Sequence, residues 1–195
     1  MIIVVEGPSA AGKTTWCRCH ADGRWLPEPE MAPLPDQKAY QRARWRQALA
    51  MDAEGELVVL DGDPFKYYYD LCLLRAGLVT EAEWHGTLAE ARQMLEAGEL
   101  GFADLVLYSD PGPDQLRQHR DADSTRRRSN FELHVSFGPT MAEWYRAIDM
   151  LEPGRVIWRF PVDGLTPDLV ARGRRQFRSG PGMLERLLSG LAEPG

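Results

Sequence analysis

Short apolar runs alternate with longer stretches of mixed polarity along this chain. The runs cover residues 2–5, 25–26, 57–60, 105–108 and 156–160, and each is bounded by Gly, Asp or Pro. The run at 25–26 is the weakest. Continuous apolar segments of this length predict strands buried on both faces, as a parallel sheet covered by helices requires. The intervening stretches predict helices at about 13–20, 36–53, 64–76, 80–97, 131–150 and 166–177. A short packed helix is expected at 183–191, with the residues beyond it frayed. Strand and helix in alternation imply βαβ crossovers, hence a three-layer α/β fold around a five-stranded parallel sheet.

The whole chain, 1–195, reads as one domain. With 195 residues, 44% hydrophobic and 27% charged, it is long enough for a single core with both sheet faces covered. No internal repeat is visible. The Pro-rich connection through Pro27, Pro29, Pro33 and Pro35, and Gly180-Pro181-Gly182, are both too short for domain linkers.

No apolar run approaches the roughly 20 residues that span a bilayer, and the N-terminal run has no basic flank. The expectation is a cytoplasmic protein without a membrane partner. A formal net charge of −6 argues against a nucleic-acid polymer as partner. A homodimer is compatible with the sequence. Cys17, Cys19 and Cys72 are an odd set in neither disulfide nor zinc-ligand order, so they read as small buried or half-buried hydrophobes. All but Lys13, Lys38 and Lys66 of the 23 basic residues are arginine.

The candidate chemistry begins at Gly7-Pro8-Ser9-Ala10-Ala11-Gly12-Lys13-Thr14, which matches G-x-x-x-x-G-K-[ST] between an apolar strand and a helix. Glycines let successive backbone N–H groups converge on one anion, and the helix N-terminus adds favourable partial charge. Gly7, Ser9, Ala10, Ala11, Gly12, Lys13, Thr14 and Thr15 are therefore the candidate ATP-phosphate set. Lys13 can reach the β and γ phosphates, and the Thr14 hydroxyl can ligate magnesium. The motif thus implies a three-layer P-loop NTPase fold.

Asp61 ends the third strand and Asp63 follows, both placed where ligands gather beyond the carboxyl ends of a parallel sheet. Asp61 is the candidate for orienting magnesium; Asp-Gly and Asp-Pro are equally good turn formers. Arginines 117, 120, 126, 127 and 128 crowd the segment after the fourth strand. They predict a flexible lid at about 117–130 whose Arg120, Arg126 and Arg128 close over ATP and stabilise the charge of the transferring group. A solvated face balanced by neighbouring aspartates is the alternative.

These features together resemble the deoxynucleoside kinase and thymidylate kinase group of P-loop kinases. Leu26-Pro27-Glu28-Pro29 is similar to the Glu-Pro element that deoxynucleoside kinases carry after the second strand. The resemblance implies that Glu28 accepts the proton of the attacking hydroxyl, with Glu30 as the competing choice. Tyr40-Gln41 resembles the aromatic-Gln pair that stacks on and hydrogen-bonds a nucleobase. The arginine-rich segment and the helix through Trp144-Tyr145 are similar to the group's lid and following helix.

One departure is plain. Deoxynucleoside kinases have Glu-Arg-Ser after the third strand and thymidylate kinases Asp-Arg, whereas this chain has Asp61-Gly62-Asp63. The missing arginine contact is either absent or supplied by Lys66, which with Asp63 joins the candidate acceptor-binding residues. The resemblance implies ATP-dependent transfer to a nucleoside or nucleotide. A phosphotransferase acting on an antibiotic or other hydroxyl metabolite, similar in layout to chloramphenicol phosphotransferase, is the runner-up. A nucleotide-dependent switch comes third: Asn130, the sole asparagine, precedes Phe131, so the Asn-Lys-x-Asp element of GTPases is absent.

Overall fold

The computed structural model describes residues 1–28, 37–124, 128, 130–173 and 181–191. Five parallel strands, β1 (Ile2–Glu6), β2 (Trp25–Leu26), β3 (Val58–Asp61), β4 (Leu105–Tyr108) and β5 (Val156–Trp158), form one sheet in the order β2-β3-β1-β4-β5. Val4 stands opposite Leu60 on one side and Val106 on the other, so the loops after β1, β3 and β4 emerge side by side.

Successive side chains of a strand point to opposite faces, and here both faces are covered. Ile2, Val4, Val58, Leu60, Val106 and Tyr108 pack with α2 (Gln37–Ala53), α3 (Tyr67–Arg75), α4 (Glu81–Glu96), α7 (Gly138–Leu151) and α9 (Pro181–Gly190). Ile3, Val5, Val59, Leu105 and Leu107 pack with Trp16 and Cys17 of α1 (Lys13–His20) and Leu169 of α8 (Pro167–Gly173). That division produces the three expected layers. No helix among the described residues is long and apolar enough to cross a membrane.

Several boundaries differ from the sequence-based expectation. The helix expected at 131–150 is two: α6 (Phe131–Ser136) ends at Phe137, and α7 restarts with Pro139 in its first turn. Proline cannot donate to the preceding turn, so one uninterrupted helix is broken there. The first part of the expected arginine-rich loop, 117–122, is helical, as the C-terminal half of α5 (Pro113–Ala122). Pro113 opens it, Asp114 lies in its first turn, and Leu116 is buried on its inner face. These are ordinary helix-start features that the run of arginines obscured. β5 stops at Trp158 because Arg159 takes a φ of 144°. Cys17 and Cys72 are buried as expected, but Cys19 is exposed on the outer side of α1.

Candidate functional site

Glu6 closes β1, and the chain then turns through a loop that only small residues can make. A Cβ on Gly7 would lie 2.1 Å from the Ser109 carbonyl oxygen, so the loop passes the end of β4 only as glycine. Gly12 takes the left-handed φ of 92° as the N-cap of α1, and its carbonyl accepts from the Trp16 amide at 2.9 Å. The Ala11 amide donates to Pro8 O at 3.1 Å and closes the loop.

Lys13 folds back over this loop. Its Nζ donates to Gly7 O at 2.6 Å and Pro8 O at 3.3 Å, and lies 3.5 Å from Glu6 Oε1. The Thr14 hydroxyl donates to Asp61 Oδ2 at 2.7 Å, while Thr15 is exposed. Burial raises the Asp61 carboxyl above its ordinary range even though the Thr14 hydroxyl and Lys13 act in the other direction. A hydroxyl and a carboxylate at this spacing suit magnesium, which typically takes one or two protein oxygens and fills its octahedron with water and phosphate. Among the described residues, no three or more His, Cys, Asp or Glu side chains gather into a group that could hold a metal ion.

A cleft of about 1620 Å³ opens above this loop, lined by residues 7–15 together with Glu28, Gln41, Asp61, Lys66 and Arg128 among others. Glu28 and Lys66 face each other across it, with Glu28 Oε1 at 3.2 Å from Lys66 Nζ. The absence of a side chain at Gly62, whose φ is 81°, makes room for this pair. A Cβ there would lie 2.8 Å from Glu28 Oε2 and 3.3 Å from Lys66 Nζ. Burial by itself would weaken the Lys66 ammonium, but the Glu28 and Glu6 carboxylates outweigh it and raise its pKa. Glu30, the competing base, lies outside the described residues.

The other expected acceptor residues divide. Gln41 is buried on α2 and reaches the cleft, and its Oε1 accepts from Arg44 Nη1 at 2.9 Å. Tyr40 turns aside, its hydroxyl 3.5 Å from Pro27 O, and is not among the residues lining the cleft. Asp63 lies behind the cleft wall. Its Oδ1 accepts from the Phe65 amide at 2.9 Å and its Oδ2 from the Tyr145 hydroxyl at 3.0 Å. Burial, with the nearby Glu6 charge adding to it, pushes its pKa up to about 6 against the pull of the Phe65 amide.

Of the lid arginines, Arg128 enters the cleft. It donates through Nη1 to Ser9 Oγ at 3.3 Å and through Nη2 to Asp123 Oδ2 at 2.6 Å. Arg120 lies on the other side of α5. It pairs with Asp121 at 2.8 Å and Glu132 at 3.0 Å and covers the Phe131 ring, away from the residues that line the cleft. Arg117 joins it on Glu132, so these two form the balanced solvated face that was the alternative reading. Arg126 and Arg127 lie outside the described residues.

Three residues here went unread in the sequence. Glu6 is buried beneath the loop; its signal was an acid closing an otherwise apolar run. Burial pushes its carboxyl up, but the Lys66 and Lys13 ammonium groups and the Asp63 and Gly7 amides outweigh burial and hold it at about 2. Arg44, also buried, donates to the carbonyls of Leu26 at 3.1 Å, Asp61 at 2.7 Å and Gly62 at 3.3 Å. It thereby fastens the ends of β2 and β3 to α2. His119 on α5 hydrogen-bonds Ala10 O through Nδ1 at 3.0 Å, tying α5 to the loop after β1.

No protein-family model matches the chain, and no curated protein matches it. Solved structures similar in fold include two of a deoxyadenosine kinase. A deoxyadenosine kinase from M. mycoides with bound dATP superposes with a TM-score of 0.58 at 13% identity, covering 89% of this chain and 96% of that one. The structure of deoxyadenosine kinase from M. mycoides with the products dCMP and a flexible dCDP gives 0.57 at 14% identity, covering 97% and 100%. The fold is therefore the P-loop α/β fold seen in deoxynucleoside kinases.

Proposed function

We propose that this chain is an ATP-dependent phosphotransferase that moves the γ-phosphoryl group to a hydroxyl of a small-molecule acceptor, a nucleoside or nucleotide. The observation that carries this reading is the convergence of the phosphate loop, the Thr14–Asp61 pair and the Glu28 carboxylate in one cleft. ATP would lie with its β and γ phosphates in the loop, where Lys13 exchanges the Gly7 and Pro8 carbonyls for phosphate oxygens. Thr14 and Asp61 would hold magnesium, which when bound neutralises charge on the phosphate oxygens.

Glu28 takes the proton of the acceptor hydroxyl. The freed oxygen bonds the γ phosphorus as the bond to the β,γ-bridging oxygen breaks, and ADP leaves with that electron pair. Arg128, within reach of Ser9 on the loop, supplies positive charge to the transferring group. Gln41 offers the acceptor its Nε2 hydrogens, since its Oε1 already faces Arg44. The two similar solved structures are of a nucleoside kinase, which supports the nucleoside class.

One observation favours a second reading, in which the acceptor is an antibiotic or other hydroxyl metabolite. Gly62 stands where the nucleoside and nucleotide kinases carry arginine, and the Glu28–Lys66 pair fills the space instead.

Acceptor-dependent ATP consumption in magnesium tests both readings, with a panel of nucleosides, nucleotides, aminocyclitols and phenylpropanoid antibiotics. Acceptors are first ranked by thermal shift with a nonhydrolysable ATP analogue, where saturation at 100 times Kd adds about 2.7 kcal/mol. The proposal predicts turnover that requires one of these acceptors and vanishes in Lys13→Ala. ATP hydrolysis indifferent to every acceptor would instead favour a switch or ATPase.

A further inference from the structure

Glu6 is 1% exposed, yet it carries a charge at the C-terminal end of the sheet's central strand. A buried carboxylate is tolerated only when paired and hydrogen-bonded on both oxygens, and here the two oxygens serve different halves of the cleft. Oε1 accepts from the Gly7 amide at 2.8 Å and faces Lys13 at 3.5 Å, both in the phosphate loop. Oε2 accepts from the Asp63 amide and the Tyr68 hydroxyl, each at 2.8 Å, and from Lys66 Nζ at 3.3 Å, all on the acceptor side.

Lys66 is accordingly shared between Glu6 and Glu28, at 3.3 and 3.2 Å. The other charged groups near it are engaged elsewhere: Arg44 on three backbone carbonyls, Asp63 on Phe65 and Tyr145. Among the described residues, Lys66 without Glu6 would keep Glu28 as its sole carboxylate contact. A cation held by one carboxylate favours that carboxylate's ionised form and makes it a poorer proton acceptor.

We infer that Glu6 is a positioning residue for phosphoryl transfer: its divided carboxylate ties the phosphate loop to Lys66 and draws Lys66 away from exclusive pairing with Glu28. The catalytic part of this inference rests on the proposed role of Glu28, whereas the tether itself does not.

The chain's three lysines make the tether directly observable. In protein labelled with 15N at lysine Nζ, three ammonium signals are assigned by Lys→Arg variants. The Lys66 signal is expected to exchange slowly with water, being held by two carboxylates. In Glu6→Gln that slow exchange is lost while the Lys38 signal is unchanged. An intact Lys66 signal in Glu6→Gln overturns the inference.

Kinetics test the coupling. Glu6→Gln should lower kcat by about 10- to 100-fold, the usual cost of an outer-shell partner, with little change in the KM for ATP. The double variant Glu6→Gln/Lys66→Met should be no slower than the slower single variant, because both act through one interaction. Additive losses, or loss of the Lys66 tether with full kcat, overturn the coupling. If Glu6→Gln fails to fold, Glu6→Asp keeps the charge but retracts it by one methylene, and the same exchange and kcat losses are expected. Full kcat in Glu28→Gln would fault the base assignment and leave the tether standing.

Discussion

The Thr14 hydroxyl donates to Asp61 Oδ2 at 2.7 Å, joining the first turn of α1 to the end of β3 across the phosphate loop. Two elements separated by 47 positions thus present one oxygen pair to the cleft. Asp61→Asn keeps the shape of this contact and removes the charge. It should reduce magnesium-dependent turnover far more than it reduces binding of an ATP analogue, because in the proposed site the carboxylate serves the metal and not the adenosine. Titration calorimetry beside steady-state kinetics checks this. Equal losses in both would mark Asp61 as a structural residue.

Glu28→Gln removes the proposed proton acceptor. General-base help is worth about 10²- to 10⁴-fold, so kcat should fall by that order while the KM for ATP stays nearly constant. If Glu28→Gln retains more than about a tenth of kcat and Asp61→Asn loses it, the base lies after β3.

Gly62→Ala approaches the same carboxylate from the other side. The left-handed φ of 81° makes any L side chain costly by about 1–2 kcal/mol, which a melting curve detects. The added methyl would press within 2.8 Å of Glu28 Oε2, and the flexible carboxylate gives way before the backbone does. A drop in kcat larger than the melting shift accounts for, with unchanged ATP binding, is the expected signature. Undiminished kcat would show that Glu28 needs no fixed position.

Asp63 and Glu6 impose opposite pH dependences on stability. Folding raises the Asp63 pKa from 3.8 to about 6, so the folded chain holds this proton more tightly than the unfolded one. Its contribution is fully present below its ordinary range and is lost as pH rises through about 6. Glu6, lowered from 4.5 to about 2, contributes above its ordinary range and loses that contribution as pH falls through about 2. Asp63→Asn should therefore become relatively more stable than the wild type as pH rises from about 4 to 6. Melting temperatures across that interval decide it; a constant difference between the two proteins refutes the shift.

Much of this architecture was legible because its signals are local. The apolar runs at 2–5, 57–60 and 105–108 fall on β1, β3 and β4 with at most a one-residue difference. The glycine spacing of the phosphate loop identified a close backbone approach that the Gly7–Ser109 contact makes concrete. What escaped was long-range. Nothing near Arg44 in sequence says that it will cap the carbonyls of Leu26 and Asp61, which lie 18 and 17 positions away. Arg120 and Arg128 look alike as letters, yet α5 turns one onto Glu132 and the other reaches Ser9. Asp63 carried the sequence signature of a ligand-facing carboxylate, and only the fold reveals Tyr145 and Phe65 as its partners.

Arg44 sets how independently the strand ends around the cleft can shift. β1, β3 and β4 are locked into the sheet by backbone ladders on both sides, so the loops at their ends are firmly placed. β2 contributes two residues at the edge, paired on one side only, and Arg44 adds a hydrogen bond to the Leu26 carbonyl at its end. Because the same guanidinium also holds the Asp61 and Gly62 carbonyls, a substitution at Arg44 would loosen the ends of β2 and β3 together.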